Sequence, residues 1–126
     1  IGRGMKVSKE AMVGLWAAIE LFRRTDHEAE WRMHLAQANT LISGFTARPD
    51  TRVVAELDWG DWPAPVVRLF PVQGAWNPVT IADALLAGKP AIAIFAERGG
   101  LMISTHCLLP GEEEAIVASL RRLLDT

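Results

Sequence analysis

The sequence predicts an α+β fold: an antiparallel sheet with helices on one face, behind a long or kinked connecting helix. Three observations point there. Apolar residues recur at helical spacing through the first third of the chain. Short β-branched runs punctuated by glycine and proline follow. A last segment runs from acidic to basic, as a closing helix does.

Ser8 is placed to cap the first helix, with Glu10 in its first turn favoured by the helix dipole. Met12, Leu15, Trp16, Ile19 and Phe22 make one stripe, and Arg23 and Arg24 suit a helix C-terminus. Thr25-Asp26-His27-Glu28 has the form of a capping box for a second helix. There Trp31, Leu35, Ala38, Ile42 and Phe45 form the stripe, with Gly44 and Pro49 marking the end. The stripes fit two helices or one rod kinked near Thr25. Thr51 to Leu57 and Pro65 to Phe70 are predicted strands joined by a turn-rich DWGDWPA link. Val79 to Ala87 is a short helix capped by Asn77 or Thr80. Ala91 to Glu97 and Leu101 to Thr105 are strands flanking an Arg98-Gly99-Gly100 turn. Pro110-Gly111 then opens the last helix, with Ile116, Val117, Leu120, Leu123 and Leu124 on its buried face. The order is α-α-β-β-α-β-β-α, with residues 1–48 as connecting loop and helices and 49–126 as the α+β domain.

The bulk numbers set bounds. With 126 residues, 50% of them hydrophobic, the chain can bury a core, and some of that apolar surface is expected to face a partner domain or subunit. A net charge of −2 argues against a general nucleic-acid binder. The single cysteine, Cys107, excludes an internal disulfide and fits a reducing compartment. No apolar run reaches the roughly 18 residues of a membrane span, and the start lacks a signal-peptide core. A cytoplasmic location without membrane contact is the expectation.

Each polar cluster has a plain reading. His27 and His34 lie two turns apart, too far to chelate one ion, and Glu30 with His34 lacks a third ligand. Both histidines are read as solvated helix face, with no metal. His106-Cys107 is read as a strand end with a buried thiol. Asp58-Trp59-Gly60-Asp61-Trp62 sets two carboxylates beside two indoles, as a sugar subsite does, and also reads as a simple turn. Arg68 is expected to pair with Glu56 on the neighbouring strand. Lys89 and Arg98 are turn cations, and Glu112 to Glu114 is a helix start. No nucleophile–base pair and no glycine-rich phosphate loop occurs, so no catalytic residue is assigned within the chain. The opening differs. Gly2-Arg3-Gly4-Met5-Lys6 places two cations in a loop ahead of a helix N-terminus, where amides, dipole and charge together suit an anion. A solvated basic leader is the alternative.

GRGMKVSKEAMVGLWAAIE resembles the segment after the cofactor-lysine region in pyridoxal-phosphate enzymes of the selenocysteine synthase group. That group includes L-seryl-tRNA(Sec) selenium transferase and the D-glucosaminate-6-phosphate ammonia-lyases, whose pattern reads close to IGR-M-KV-KE. TIADALLAGKPAIAIFAERGGLMISTHCLLPGEEEAIVASLRRLL resembles the closing element of the same group: helix, small residue and Pro, strand, Gly turn, strand, L-PGEEE, helix. The likeness is weak between about Thr46 and Gly74.

The resemblance implies the small C-terminal domain of a fold-type-I, aminotransferase-like enzyme. It implies pyridoxal phosphate held mainly by an upstream domain that bears the lysine, and a chain that begins in mid-protein, its first Met being Met5. It implies a lyase or transferase in which the cofactor acts as electron sink for a small amino-acid or amino-sugar-acid substrate. A homo-oligomer is implied and tRNA binding is not, since no domain of the tRNA-binding kind is seen. Arg3 and Lys6 are then the substrate-anion clamp. Lys6 stands where selenium transferases often have Arg, giving a point charge in place of a bidentate fork; the ammonia-lyases tend to have Lys there. IFAERGG departs from the V-V-EG of the group's penultimate strand. The alternative without chemistry is a stand-alone α+β module that associates through its helical stripes.

Overall fold

A computed structural model describes residues 7–46, 52–60 and 63–124. The chain divides into two compact units, Ile1–Glu30 and Trp31–Thr126.

In the first unit, α1 spans Lys9–Arg24. Its start is the one the sequence predicts: Ser8 Oγ accepts from the Ala11 amide at 3.1 Å. No residue of α1 is buried. Met12, Leu15, Trp16, Ile19 and Phe22 are 49–70% exposed, so the stripe that marks the helix in the sequence is uncovered within its own unit. Thr25 leaves the helix in an extended conformation and its hydroxyl donates back to the Leu21 carbonyl at 2.9 Å. Helix α2, His27–Thr46, then starts afresh. Its first turn is held by Asp26, whose Oδ1 accepts from the Ala29 amide at 2.9 Å. The capping role falls one residue later than the Thr25 box predicts, because the Thr25 hydroxyl is spent on closing α1.

The second unit carries the core. Strands β1 (Val53–Asp58), β2 (Val66–Pro71), β3 (Phe95–Glu97) and β4 (Gly100–Ser104) form an antiparallel sheet in the order β1-β2-β4-β3. Helices α3 (Pro78–Leu86) and α4 (Glu112–Leu124) alternate with the strands, giving the α+β order read from the sequence. Alternation along the strands turns Val53, Val67, Leu69, Leu101 and Ile103 to one face. There they join Leu41 and Phe45 of α2, Ile81 and Leu85 of α3, and Ile116 and Leu120 of α4 in one cluster. Fully burying a side chain of this kind contributes about 1.5–3 kcal/mol relative to leaving it in water.

Two local readings are corrected and one choice is settled. The buried face of α2 consists of His34, Gln37, Ala38, Leu41 and Phe45: of the predicted stripe Ala38 and Phe45 are buried and Ile42 packs against the core, while His34, Gln37 and Leu41 take the places expected of Trp31 and Leu35. Two polar residues on the inner side hide that face from a hydrophobicity pattern. The run Ala91 to Glu97 enters the sheet only from Phe95, although β4 continues to Ser104 in its pairing with β2. Ile92 bonds instead to α3, its amide donating to the Leu85 carbonyl at 3.0 Å. Asn77, not Thr80, caps α3: its Oδ1 accepts from the Val79 and Thr80 amides. Among the described residues no helix is long and apolar enough to cross a membrane.

Candidate functional site

Arg3 and Lys6, the cations expected to clamp an anion, lie outside the described residues, as do Asp61 and Trp62. The helix start that follows Lys6 is described. Its amides are partly used by the chain itself: Ser8 takes the Ala11 amide, and Glu10 bonds to its own amide and to Ser8. These bonds hold the Glu10 carboxyl below its ordinary range, its own amide first and the Ser8 hydroxyl second.

A cluster of one cation and two carboxylates lies on the sheet face opposite the core. Arg68 projects from β2 and is 8% exposed. Glu56 stands directly across from it in the β1 register, as the sequence suggests, and the expected pair does not form. Arg68 Nε donates to Asp58 Oδ2 at 2.8 Å and Nη1 donates to Glu97 Oε1 at 2.6 Å. A guanidinium reaches past the residue opposite its own Cβ, and here two carboxylates take two separate edges of the fork. Asp58 lies two residues along β1 on the same face. Glu97 comes from β3, across β4, where its register partner Gly100 offers no side chain. Glu97 first and Asp58 second push the Arg68 guanidinium above its already high pKa. Asp58 Oδ1 also accepts from the Gly60 amide at 3.0 Å, so each oxygen of this carboxylate has a partner within the fold. Asp58 thus serves as an ion-pair and turn residue, and Trp59 meets Trp31 at a ring separation of 6.4 Å. Arg98 occupies the β3–β4 turn with φ 50°. Nε and Nη1 of Arg68 are thus committed to these two carboxylates.

A cleft of about 430 Å³ opens where the Ala91–Ile94 stretch parts from β4. Ile92, Ile94, Met102 and Ile116 wall it, with Cys107 and Glu112 at the polar side. Cys107 is exposed, not buried as expected, because the turn it sits on follows the end of β4 and faces outward. A smaller hollow of about 240 Å³ lies beside the C-terminal end of α3, lined in part by Lys89, Ser119 and Arg122.

His34 reverses its expected role. It is 5% exposed and its Nδ1 lies 3.2 Å from Gln37 Oε1. Gln37 Nε2 in turn donates to the Leu109 carbonyl and to Glu113 Oε2, both at 3.2 Å, with the Leu108 carbonyl at 3.5 Å. This chain of bonds ties α2 to the segment leading into α4. Spacing along α2 alone gave no sign of it, since the partners come from the far end of the sequence. His27 stays on the surface, its Nε2 at 2.8 Å from the Phe22 carbonyl. Among the described residues no group of three or more His, Cys, Asp or Glu is placed to hold a metal ion.

Pyridoxal phosphate needs an amine in a sheltered pocket and donors for its phosphate. The described lysines, Lys9 and Lys89, are both exposed. Neither cavity combines a buried amine with a phosphate cradle. The described residues therefore do not hold this cofactor by themselves.

No protein-family model matches the chain, and no curated protein matches it.

Proposed function

We propose that this chain is the C-terminal portion of a pyridoxal-phosphate-dependent lyase or transferase, with the cofactor lysine on a domain upstream of Ile1. One observation carries the reading beyond the sequence likeness: α1 presents Met12, Leu15, Trp16, Ile19 and Phe22 to solvent at 49–70% exposure, with no buried residue in the helix. A contiguous apolar face of that kind marks a surface made for another protein element. An upstream catalytic domain is the element the opening motif implies. The order of α3, Pro90, β3, the Arg98-Gly99 turn, β4 and the PGEEE start of α4 supports the same reading, because it is the order of the group's closing element.

In this reading the chain supplies no nucleophile and no cofactor lysine. Arg3 and Lys6 bind the anionic group of an amino-acid or amino-sugar-acid substrate, and the α+β unit helps to cover it. The full protein is a cytoplasmic homo-oligomer.

The test is to express the open reading frame with its upstream codons and add the cofactor. The longer protein should show the visible absorbance of bound cofactor, and the 126-residue chain should show none. Arg3→Ala in the longer protein should weaken an anionic substrate and leave the fold intact. A start codon close to Ile1 with no cofactor binding would turn the reading to the stand-alone module, whose α1 face then meets a separate protein. Cofactor binding by the 126-residue chain itself would overturn the assignment of the lysine.

A further inference from the structure

We propose that the free edge of the sheet pairs with the same edge of a second copy, β1 against β1 in an antiparallel register centred on Ala55, giving a two-fold dimer. The first support is the direction of the β1 backbone groups. The Val72 amide donates to the Arg52 carbonyl at 2.9 Å, and Glu56 stands across from Arg68 in the register. Bonded residues alternate along an antiparallel ladder, so Arg52, Val54, Glu56 and Asp58 turn their N–H and C=O groups to β2. Val53, Ala55 and Leu57 turn theirs outward. β1 ends the order β1-β2-β4-β3, and among the described residues no turn or loop group bonds to these three.

The second support is that this edge carries no block. Proteins blunt an exposed strand edge with a bulge, a proline or a very short strand. β1 has none of these: its six residues, Val53–Asp58, are all in register with β2. The far edge, β3, pairs over three residues only. Pairing is therefore open at one edge and curtailed at the other, and a two-fold contact through β1 closes at two copies.

The third support is that the strand complements itself in one register. About a two-fold axis at Ala55, Val53 faces Leu57 of the second copy, Ala55 faces Ala55, and Leu57 faces Val53. The outward-turned residues thus meet one another in bonded pairs. Residues directly opposite share a face, so these stay on the core side, where Val53 belongs to the cluster and Ala55 and Leu57 pack against it half-buried. On the outer face Val54, 45% exposed, meets Glu56 of the second copy. Arg52 meets Asp58 and has Glu56, which Arg68 passes over, on its diagonal. The cation at one end of β1 lies against the carboxylates at the other, twice over. Centring on Glu56 would set the two Glu56 carboxylates against each other. Centring on Val54 would carry Leu57 and Asp58 past Val53, the first residue of the facing strand. The pairing uses neither α1 nor Arg3 and Lys6, so it stands apart from the cofactor reading.

The test is sedimentation of the full 126-residue chain from micromolar to millimolar concentration, with nuclear magnetic resonance on a mixture of labelled and unlabelled chains. A monomer–dimer equilibrium should appear, with the Ala55 amide protected from exchange only in the dimer and the Val54 and Glu56 Hα protons in contact between copies. Ala55→Pro removes no bond within the sheet, since that amide faces outward. It should weaken the dimer about tenfold or more while the monomer stays folded. Arg52→Glu, at an exposed position, should weaken it about fivefold or more, and added salt should weaken the parent dimer. Trp16→Ser, on α1, should leave it unchanged. A chain that stays monomeric at millimolar concentration would overturn the proposal. So would a dimer unaffected by Ala55→Pro and Arg52→Glu, a dimer lost in Trp16→Ser, or an Ala55 amide already protected in the dilute monomer.

Discussion

Gly44 of α2 and Val117 of α4 are in contact so close that neither helix could approach with a larger residue at position 44: a Cβ there would stand 2.7 Å from Val117 Cγ2. Arg121 locks the same crossing, its Nε donating to the Gly44 carbonyl at 2.8 Å and its Nη2 to the same oxygen. Gly44→Ala gains about 0.5–1 kcal/mol of helix propensity, and the forced contact costs about 1–3 kcal/mol. The net is a loss of about 1 kcal/mol in urea unfolding. In Val117→Ala the clash is gone, so Gly44→Ala on that background should be neutral or stabilising. A double-mutant cycle without coupling would contradict the packing described.

Arg68 holds Asp58 and Glu97 together, so its loss brings two carboxylates face to face. Arg68→Met should cost about 1–3 kcal/mol, less than the breaking of a fully buried pair because Glu97 remains partly exposed. Adding Asp58→Asn and Glu97→Gln should recover most of the loss. Glu56→Gln, at the position opposite Arg68 in the register, should leave stability within about 0.5 kcal/mol of the parent. Chemical denaturation of the four proteins decides between the two partner sets.

The β3–β4 turn demands left-handed backbone at two successive residues, Arg98 with φ 50° and Gly99 with φ 79°. Asn-Gly is the preferred pair for such a turn. Arg98→Asn should therefore raise stability by up to about 1 kcal/mol, and Gly99→Val should lower it by about 1–2 kcal/mol. Thermal melts of the two variants should move in opposite directions.

The Glu10 carboxyl is held below its ordinary value of 4.5 by its own amide and the Ser8 hydroxyl. A lowered folded-state pKa means that the folded helix binds fewer protons than the unfolded one. The contribution is present above the ordinary value and is lost as pH falls through the lowered one. The helicity of α1, read residue by residue from backbone chemical shifts, should fall in that acid window, and Glu10→Gln should flatten the dependence.

Since α1 buries none of its residues, deleting residues 1–24 should shift the melting of the remaining chain by no more than a few degrees. A collapse of the sheet in that variant would show that α1 belongs to the core after all.

Much of the fold was legible because local signals decided it. The Ser8 cap, the Asn77 cap, the glycine turn and the acidic start of α4 each act within a few residues, and each lies where its chemistry indicates. The errors arise where tertiary partners decide. His34 and Gln37 look like solvent-facing residues until Leu108, Leu109 and Glu113 arrive from the far end of the chain. Arg68 has an obvious neighbour in Glu56, and only the fold brings Glu97 within its reach. Ala91 to Ile94 reads as a strand because its residues suit one; in the fold it leaves β4 and Ile92 bonds to the Leu85 carbonyl of α3 instead. The anion clamp proposed at Arg3 and Lys6 lies outside the described residues and rests on sequence, whereas the Arg68 cluster is visible only in the fold.

The parting of Ala91–Ile94 from β4 also bears on solubility. Ala-Ile-Ala-Ile-Phe-Ala is a nearly uncharged run of high β-propensity at the margin of the sheet, the composition from which fibrils nucleate. A long straight margin would offer a template to neighbouring molecules. Here only three residues lie in register, the rest swing away toward α3, and Glu97 sets a carboxylate at the end of the pairable stretch. The bend thus protects the folded protein from recruiting its own copies.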